Sequence, residues 1–249
     1  MKKLQLVLAL VIALSNLAWG QTAKKQDLTI EQFEAKLTKA GSNAQILDAR
    51  TDEEYKLNHL KGAQSFSVDN EAELQKQINQ LDKKKPVFVY SIGNGRSNVL
   101  AKKLKGDGFS EVYELPGGFS HWIGSGRPVV STTGAGLTLT DYKKLIDSDS
   151  KLVLVDIGSK FCGGCKRMLP VVDSVASENT DKLKLVKIEF FENKQLGIDL
   201  KVEALPTFIL YKDDKIVWQK SGVFAKALFE EKISKADLAS SKQAGNTLK

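Results

Sequence analysis

The chain has 249 residues, 42% of them hydrophobic, and a formal net charge of +7; it is longer than most single domains and apolar enough for ordinary cores. Its lysines are spread along the sequence without clustered arginines or interleaved aromatics, a pattern that argues for a solvated surface and against a nucleic-acid partner. Only two cysteines are present, Cys162 and Cys165, which excludes a disulfide-stapled framework.

The first twenty residues stand apart. Lys2 and Lys3 precede an apolar run from Leu4 to Leu14, and Ala18-Trp19-Gly20 is a small-x-small ending before Gln21. The run is too short to span a bilayer comfortably, so residues 1–20 are expected to be a cleaved export signal; the alternative is a retained amphipathic anchor. No stable membrane insertion is expected after cleavage, and with no cysteine at that point lipid attachment there is ruled out. Export implies a periplasmic, oxidising compartment, where an isolated cysteine pair is chemical and not architectural.

Thr29-Ile30-Glu31-Gln32 is a capping box, with Phe33, Leu37 and Ala40 at helical spacing before Gly41. A short buried strand is expected over 44–48, a helix over 71–81 and a dense apolar strand over 86–90. That last strand ends at Ser91-Ile92-Gly93-Asn94-Gly95-Arg96-Ser97, and a helix over 97–105 follows. Strand, glycine-containing loop and helix start form a cradle of backbone donors suited to an anion. A strand over 111–115 leads into Pro116-Gly117-Gly118-Phe119-Ser120-His121-Trp122.

Residues 27–129 resemble a rhodanese-like (sulfurtransferase) domain. The resemblance rests on Leu47-Asp48-Ala49-Arg50, Glu54-Tyr55, His59-Leu60-Lys61-Gly62-Ala63, Arg96-Ser97 and Gly117-Gly118 followed by Trp122. It implies a three-layer α/β/α domain on a parallel sheet. In active members the loop opens with a persulfide-carrying cysteine; that position here is Ser91, so no sulfurtransferase activity is expected. Arg96 and the loop around Ser91 then read either as a binding module for an anion or a partner's acidic side chain, or as a retained scaffold. His59 and His121 read as packing and turn residues.

A polar linker is expected over 130–137, around Ser131-Thr132-Thr133-Gly134-Ala135-Gly136. Thr140 is expected to cap a two-turn helix to Ile146, and 151–157 reads as a central strand. Five residues beyond that strand lie Cys162-Gly163-Gly164-Cys165. A helix starting at Cys162 puts both sulfurs on one face, with free N–H groups and the positive helix end stabilising a thiolate at Cys162 and a protonated, shielded thiol at Cys165. Zinc needs about four ligands and lacks them here; a structural disulfide would close a very short loop. These readings and that of two inert buried thiols compete with redox chemistry. Pro170 predicts a kink in that helix. A strand over 183–190, a helix from Lys194, a strand over 208–211, a turn at Asp213-Asp214, a strand through Ile216-Val217-Trp218 and a helix over 225–238 complete the order, with a loose tail over 239–249.

Residues 138–238 resemble a thioredoxin domain, a three-layer α/β/α fold on a mixed sheet. The matches are Val155-Asp156, Cys162-Gly163-Gly164-Cys165-Lys166, Pro170, Lys187, Leu205-Pro206-Thr207 and Gly222. The resemblance implies Cys162 as nucleophile, Cys165 as resolving thiol, Pro206 in a cis peptide bond facing them, and a buried Asp156 that exchanges a proton with Cys165 under the influence of Lys187. On the residues alone, the competing readings are a trans turn proline at Pro206 and a strand-end cap at Asp156. Gly164 stands where the family usually has proline, and Gly158 and Phe161 where it has tryptophan, which points to a potential of roughly −150 to −270 mV.

The expected function is an exported thiol–disulfide oxidoreductase acting on protein thiols or disulfides. It needs no cofactor beyond the Cys162–Cys165 pair, and an inner-membrane thiol carrier is the expected electron source. Thr207 after the proline favours a reductant or isomerase. An oxidase, a non-catalytic client-binding module and a sulfur-trafficking role are the rivals.

Overall fold

The computed structural model describes residues 28–66, 68–148 and 151–244. The expected export signal lies outside them.

Helix α1 (Ile30–Ala40) starts at the expected cap, with Gln32 N–H donating to Thr29 Oγ1 and Thr29 N–H to Gln32 Oε1. Strand β1 (Gln45–Asp48) leads to α2 (Asp52–Leu57), β2 (Asn58–His59) and β3 (Ala63–Ser65). Helix α2 is absent from the sequence expectation. Thr51 caps it in a reciprocal box with Glu54, a Thr-x-x-Glu spacing that was there to be read. Then come α3 (Glu71–Asn79), β4 (Val87–Tyr90), α4 (Gly95–Gly106), β5 (Val112–Glu114) and α5 (Gly118–Gly124), a helix where a turn was expected.

The sheet is all parallel, in the order β3-β1-β4-β5. Along β4, Phe88 and Tyr90 enter one apolar cluster with Phe33 and Trp122, while Val87 and Val89 enter another with Leu100 and Leu104. Side chains alternate across a sheet covered on both faces, so the strand reads as an unbroken apolar run.

The second domain comprises α6 (Leu139–Ile146), β7 (Leu152–Gly158), α7 (Gly163–Ser177), β8 (Leu183–Glu189), α8 (Lys194–Asp199), β9 (Thr207–Lys212), β10 (Lys215–Ser221) and α9 (Lys226–Ala244). Thr138, not Thr140, caps α6 by accepting from Asp141 N–H. The sheet order is β10-β9-β7-β8, with β8 parallel to β7 and the other pairs antiparallel. Asp213 and Asp214 take positive φ of 47° and 58°, the conformation a two-residue hairpin turn requires. Helix α9 continues to Ala244, so the first part of the expected tail is helical.

The domains are not joined by a free tether. Val130 and Ser131 form β6, which pairs antiparallel with β2. Beyond it, Gly136 runs against the backbone of Glu192 and Asn193, where a Cβ would stand 2.4 Å from Glu192 O. Asn58 Nδ2 donates to Phe191 O at 3.2 Å, and the Lys160 ammonium meets the Glu53 carboxylate at 2.8 Å. A Cβ on Gly124 would lie 2.0 Å from Val202 O, so the end of α5 meets the chain after α8 at a distance only glycine permits. One apolar cluster runs through both domains, from Phe33 and Phe88 to Ile188 and Ile209.

Candidate active site

Cys162 is the N-cap of α7. Its Sγ accepts the Cys165 N–H at 3.2 Å, and both cysteines are free thiols. Four influences bring the Cys162 thiol down to about 7: the hydrogen bond from the Cys165 thiol, the Cys165 and Gly164 N–H groups, and the charge of Arg167; burial opposes them. Cys165 is held far above an ordinary thiol by that same hydrogen bond and by burial. The helix start separates the two sulfurs as the spacing implied, but coverage is the reverse of expectation. Cys162 is 5% exposed and Cys165 half-buried.

Asp156, on β7, lies behind Cys165. A Cβ on Gly158 would be 3.2 Å from Cys165 Sγ and 3.6 Å from Asp156 Oδ1, so glycine there leaves carboxyl and thiol adjacent. Asp156 Oδ1 is buried without a hydrogen-bond partner. Burial pushes its carboxyl up to about 6, the charge of Lys187 opposes this and that of Asp173 adds to it. Lys187 is the register partner of Asp156 on β8, yet its ammonium bonds Asp173 at 2.6 Å.

The Leu205–Pro206 peptide is cis. A Cβ on Gly164 would lie 3.1 Å from Pro206 Cδ and 3.6 Å from both Cys162 Sγ and Leu205 O. Proline, thiol and the Leu205 carbonyl thus converge on a glycine that leaves them room. Thr207 is fully buried and turned away, with Oγ1 donating to Ala204 O and 2.6 Å from Ser221 Oγ.

Across from these residues stands the loop after β4. The two walls enclose a cleft of about 560 Å³ lined by Ile92, Gly93 and Arg96 on one side and Phe161, Cys162 and Leu205 on the other. For the two readings of Ser91 and Arg96, binding module or retained scaffold, the finding is that the side chains themselves are engaged within the domain. Ser91 Oγ is turned into its own loop, donating to Gly93 O at 2.6 Å and accepting from Ser97 N–H. The Arg96 guanidinium forks onto the buried Glu54 carboxylate at 2.6 and 2.7 Å, so its charge is already matched. His59 and His121 each place Nδ1 on a backbone carbonyl, of Tyr55 and Pro116.

Residues 135–235 match the thioredoxin family model, and residues 29–125 match that of the rhodanese-like domain. A chloroplastic thioredoxin Y of Oryza sativa subsp. japonica is 35% identical over 78 residues, 31% of this chain and 46% of that protein. The chain thus spans about half the length of that relative. The thioredoxin M-type of Chlamydomonas reinhardtii is 33% identical over 110 residues, 44% of this chain and 79% of that protein. The thioredoxin of Bacillus subtilis is 32% identical over 96 residues, 39% of this chain and 92% of that protein.

The chain belongs to the thioredoxin family.

Within the thioredoxin domain, two residues near the thiols went unnoticed in the sequence. Arg167 lies on the cleft wall beside Cys162; its place one turn into the helix was the available signal. Asp173 engages Lys187 from α7, a pairing between helix and strand that no local spacing reveals. The rhodanese-like domain supplies the facing wall of the thioredoxin cleft.

Proposed function

We propose that the protein is a thiol–disulfide oxidoreductase that works through Cys162 and Cys165. The observation carrying this reading is the pair itself: a thiol lowered to about 7 at a helix start, accepting an N–H at 3.2 Å, beside a second thiol backed by a buried carboxyl. The Cys162 thiolate attacks one sulfur of a substrate disulfide, forming a mixed disulfide and expelling the other sulfur as a thiol. Cys165 passes its proton to Asp156 and attacks Cys162 Sγ. The Cys162–Cys165 disulfide forms and the reduced product leaves. Pro206 and Leu205 lie beside the attacking sulfur, where they can align an incoming chain.

In our reading the protein is exported to the periplasm and acts there as a reductant or isomerase on protein disulfides, recharged by an inner-membrane thiol carrier. The run at residues 4–14 and the Pro206-Thr207 pair motivate this. The rhodanese-like domain positions substrate and transfers no sulfur, because the Ser91 hydroxyl holds no sulfane sulfur and is spent on loop hydrogen bonds. The test is Cys165→Ser in cells of the source organism. Clients are expected to accumulate as reducible adducts on Cys162; a Cys162 that alkylates freely yet traps none would sink the mechanism.

A further inference from the structure

Cys162 does not open onto a flat face. It sits in a cleft whose far wall, Ile92, Gly93, Gly95 and Arg96, comes from the other domain. That wall is held in place by the seam between the domains, including the Phe119–Phe191 stack at 6.0 Å and the Asn58 Nδ2 hydrogen bond to Phe191 O. A broad folded surface meets the rhodanese-like wall before its sulfur reaches Cys162; a narrow segment or small molecule does not.

The charges of the cleft are unequal. None of its lining residues is acidic. Arg96 is committed to Glu54, and nearby Lys160 to Glu53. Arg167 lines the cleft, is exposed and has no carboxylate partner among the described residues. Its Nη1 lies 3.9 Å from where a Gly163 Cβ would stand, beside the attacking cysteine. A guanidinium without a counter-ion beside the attacking sulfur favours an anion.

We infer that the cleft between the Gly93–Arg96 loop and Cys162 is a binding site for slender disulfides carrying carboxylates next to the sulfur, with Arg167 as the residue that selects them. The inference rests on the thiol–disulfide exchange proposed above and names its substrate class. The carboxylate meets Arg167, the near sulfur bonds Cys162 as the substrate S–S bond breaks, and the far sulfur leaves as a thiol. Attack by Cys165 on Cys162 Sγ then frees the second thiol. Two electrons pass from the dithiol to the disulfide.

The test is single-turnover oxidation of the reduced full-length protein by three disulfides of like size: dithiodipropionate (anionic), hydroxyethyl disulfide (neutral) and cystamine (cationic). Dithiothreitol supplies the intrinsic rates. Relative to that reference, the anionic disulfide is expected to react about tenfold faster than the cationic one, and less so at high salt. Arg167→Ala should collapse the ratio, and Arg167→Lys should retain most of it. Using a ratio removes any change in the thiolate fraction of Cys162. Two further arms locate the source of the carboxylates: an unfolded acidic peptide disulfide outrunning dithiodipropionate assigns the site to extended chains, and the reverse order assigns it to small molecules. A ratio of one, a ratio unmoved by Arg167→Ala, or a folded protein disulfide that reacts fastest would overturn the inference. Failure of Cys162 to react with any of them would overturn the exchange chemistry instead.

Discussion

Phe119 of the rhodanese-like domain stacks on Phe191 of the thioredoxin domain, with ring centroids 6.0 Å apart and an interplanar angle of 21°. The Arg50 guanidinium lies 4.2 Å from the centre of the Phe119 ring and 5.8 Å from that of Phe191. Arg50 is 1% exposed and grips Asp48 through two side-chain hydrogen bonds of 2.9 and 2.7 Å, so a buried ion pair backs the aromatic seam. The two domains therefore share apolar burial that neither completes alone.

Gly124→Val tests that seam. The new side chain would meet the Val202 backbone, which no rotamer change relieves. A loss of about 2–4 kcal/mol is expected, with one urea transition expected for the parent and two for the variant. Superimposable curves for parent and variant would show that the seam does not couple the domains.

The reactivity of Cys162 should follow its lowered thiol. Its alkylation rate is expected to rise with a midpoint near 7. In Cys165→Ala the largest lowering contribution, the thiol hydrogen bond, is gone. The midpoint should then move toward the ordinary value of about 8.5. An unchanged midpoint would assign the effect to the helix-start N–H groups and the Arg167 charge instead.

Asp156 carries a stability cost whose sign is fixed by its shift. Its folded-state carboxyl, pushed up to about 6, lies above the unfolded value of 3.8. The stability linked to this group is full below the unfolded value and lost as pH rises through the folded one. Asp156→Asn should therefore gain about 2–3 kcal/mol near neutral pH and almost nothing below about pH 4, while slowing resolution of the mixed disulfide. Urea titrations at the two pH values decide it; an equal gain at both would mean the benefit is not protonic.

Removing Arg96 should hurt more than its partial exposure suggests. Its side chain is 27% exposed, but the Glu54 carboxylate it covers is 1% exposed. Burial raises Glu54, and the Arg96 and Thr51 donors and the neighbouring arginine charges bring it below the usual carboxylate range. Its stabilisation is present above the unfolded value of 4.5 and lost as pH falls. Arg96→Ala strands that charge and is expected to cost about 3 kcal/mol near pH 7, shrinking toward pH 4.5. A deficit that grows on acidification would reverse the assignment.

Much of this architecture was legible because its causes are local. Thr29 and Gln32 announce a helix start, β4 reads as an unbroken apolar run, and the cysteine spacing sets a helix N-terminus beneath the thiols. What failed was non-local or too brief. Helix α2 is six residues long and shows no apolar period, so its Thr51–Glu54 box stood without support. Arg96 finds its partner Glu54 at a sequence separation of 42, so nothing local marks the pair. Phe119 and Phe191 each resemble a residue of their own domain's core, and nothing in either neighbourhood indicates that they meet. Cysteine spacing likewise places both sulfurs at a helix start but carries no information on which of them the rest of the fold covers more.

The cleft bears on the order of events under the exchange proposed above, because donor and acceptor would both reach Cys162 between the same two walls. On that proposal recharging and delivery take turns, since Cys162 Sγ forms one disulfide bond at a time, and a surplus of either traffic holds up the other.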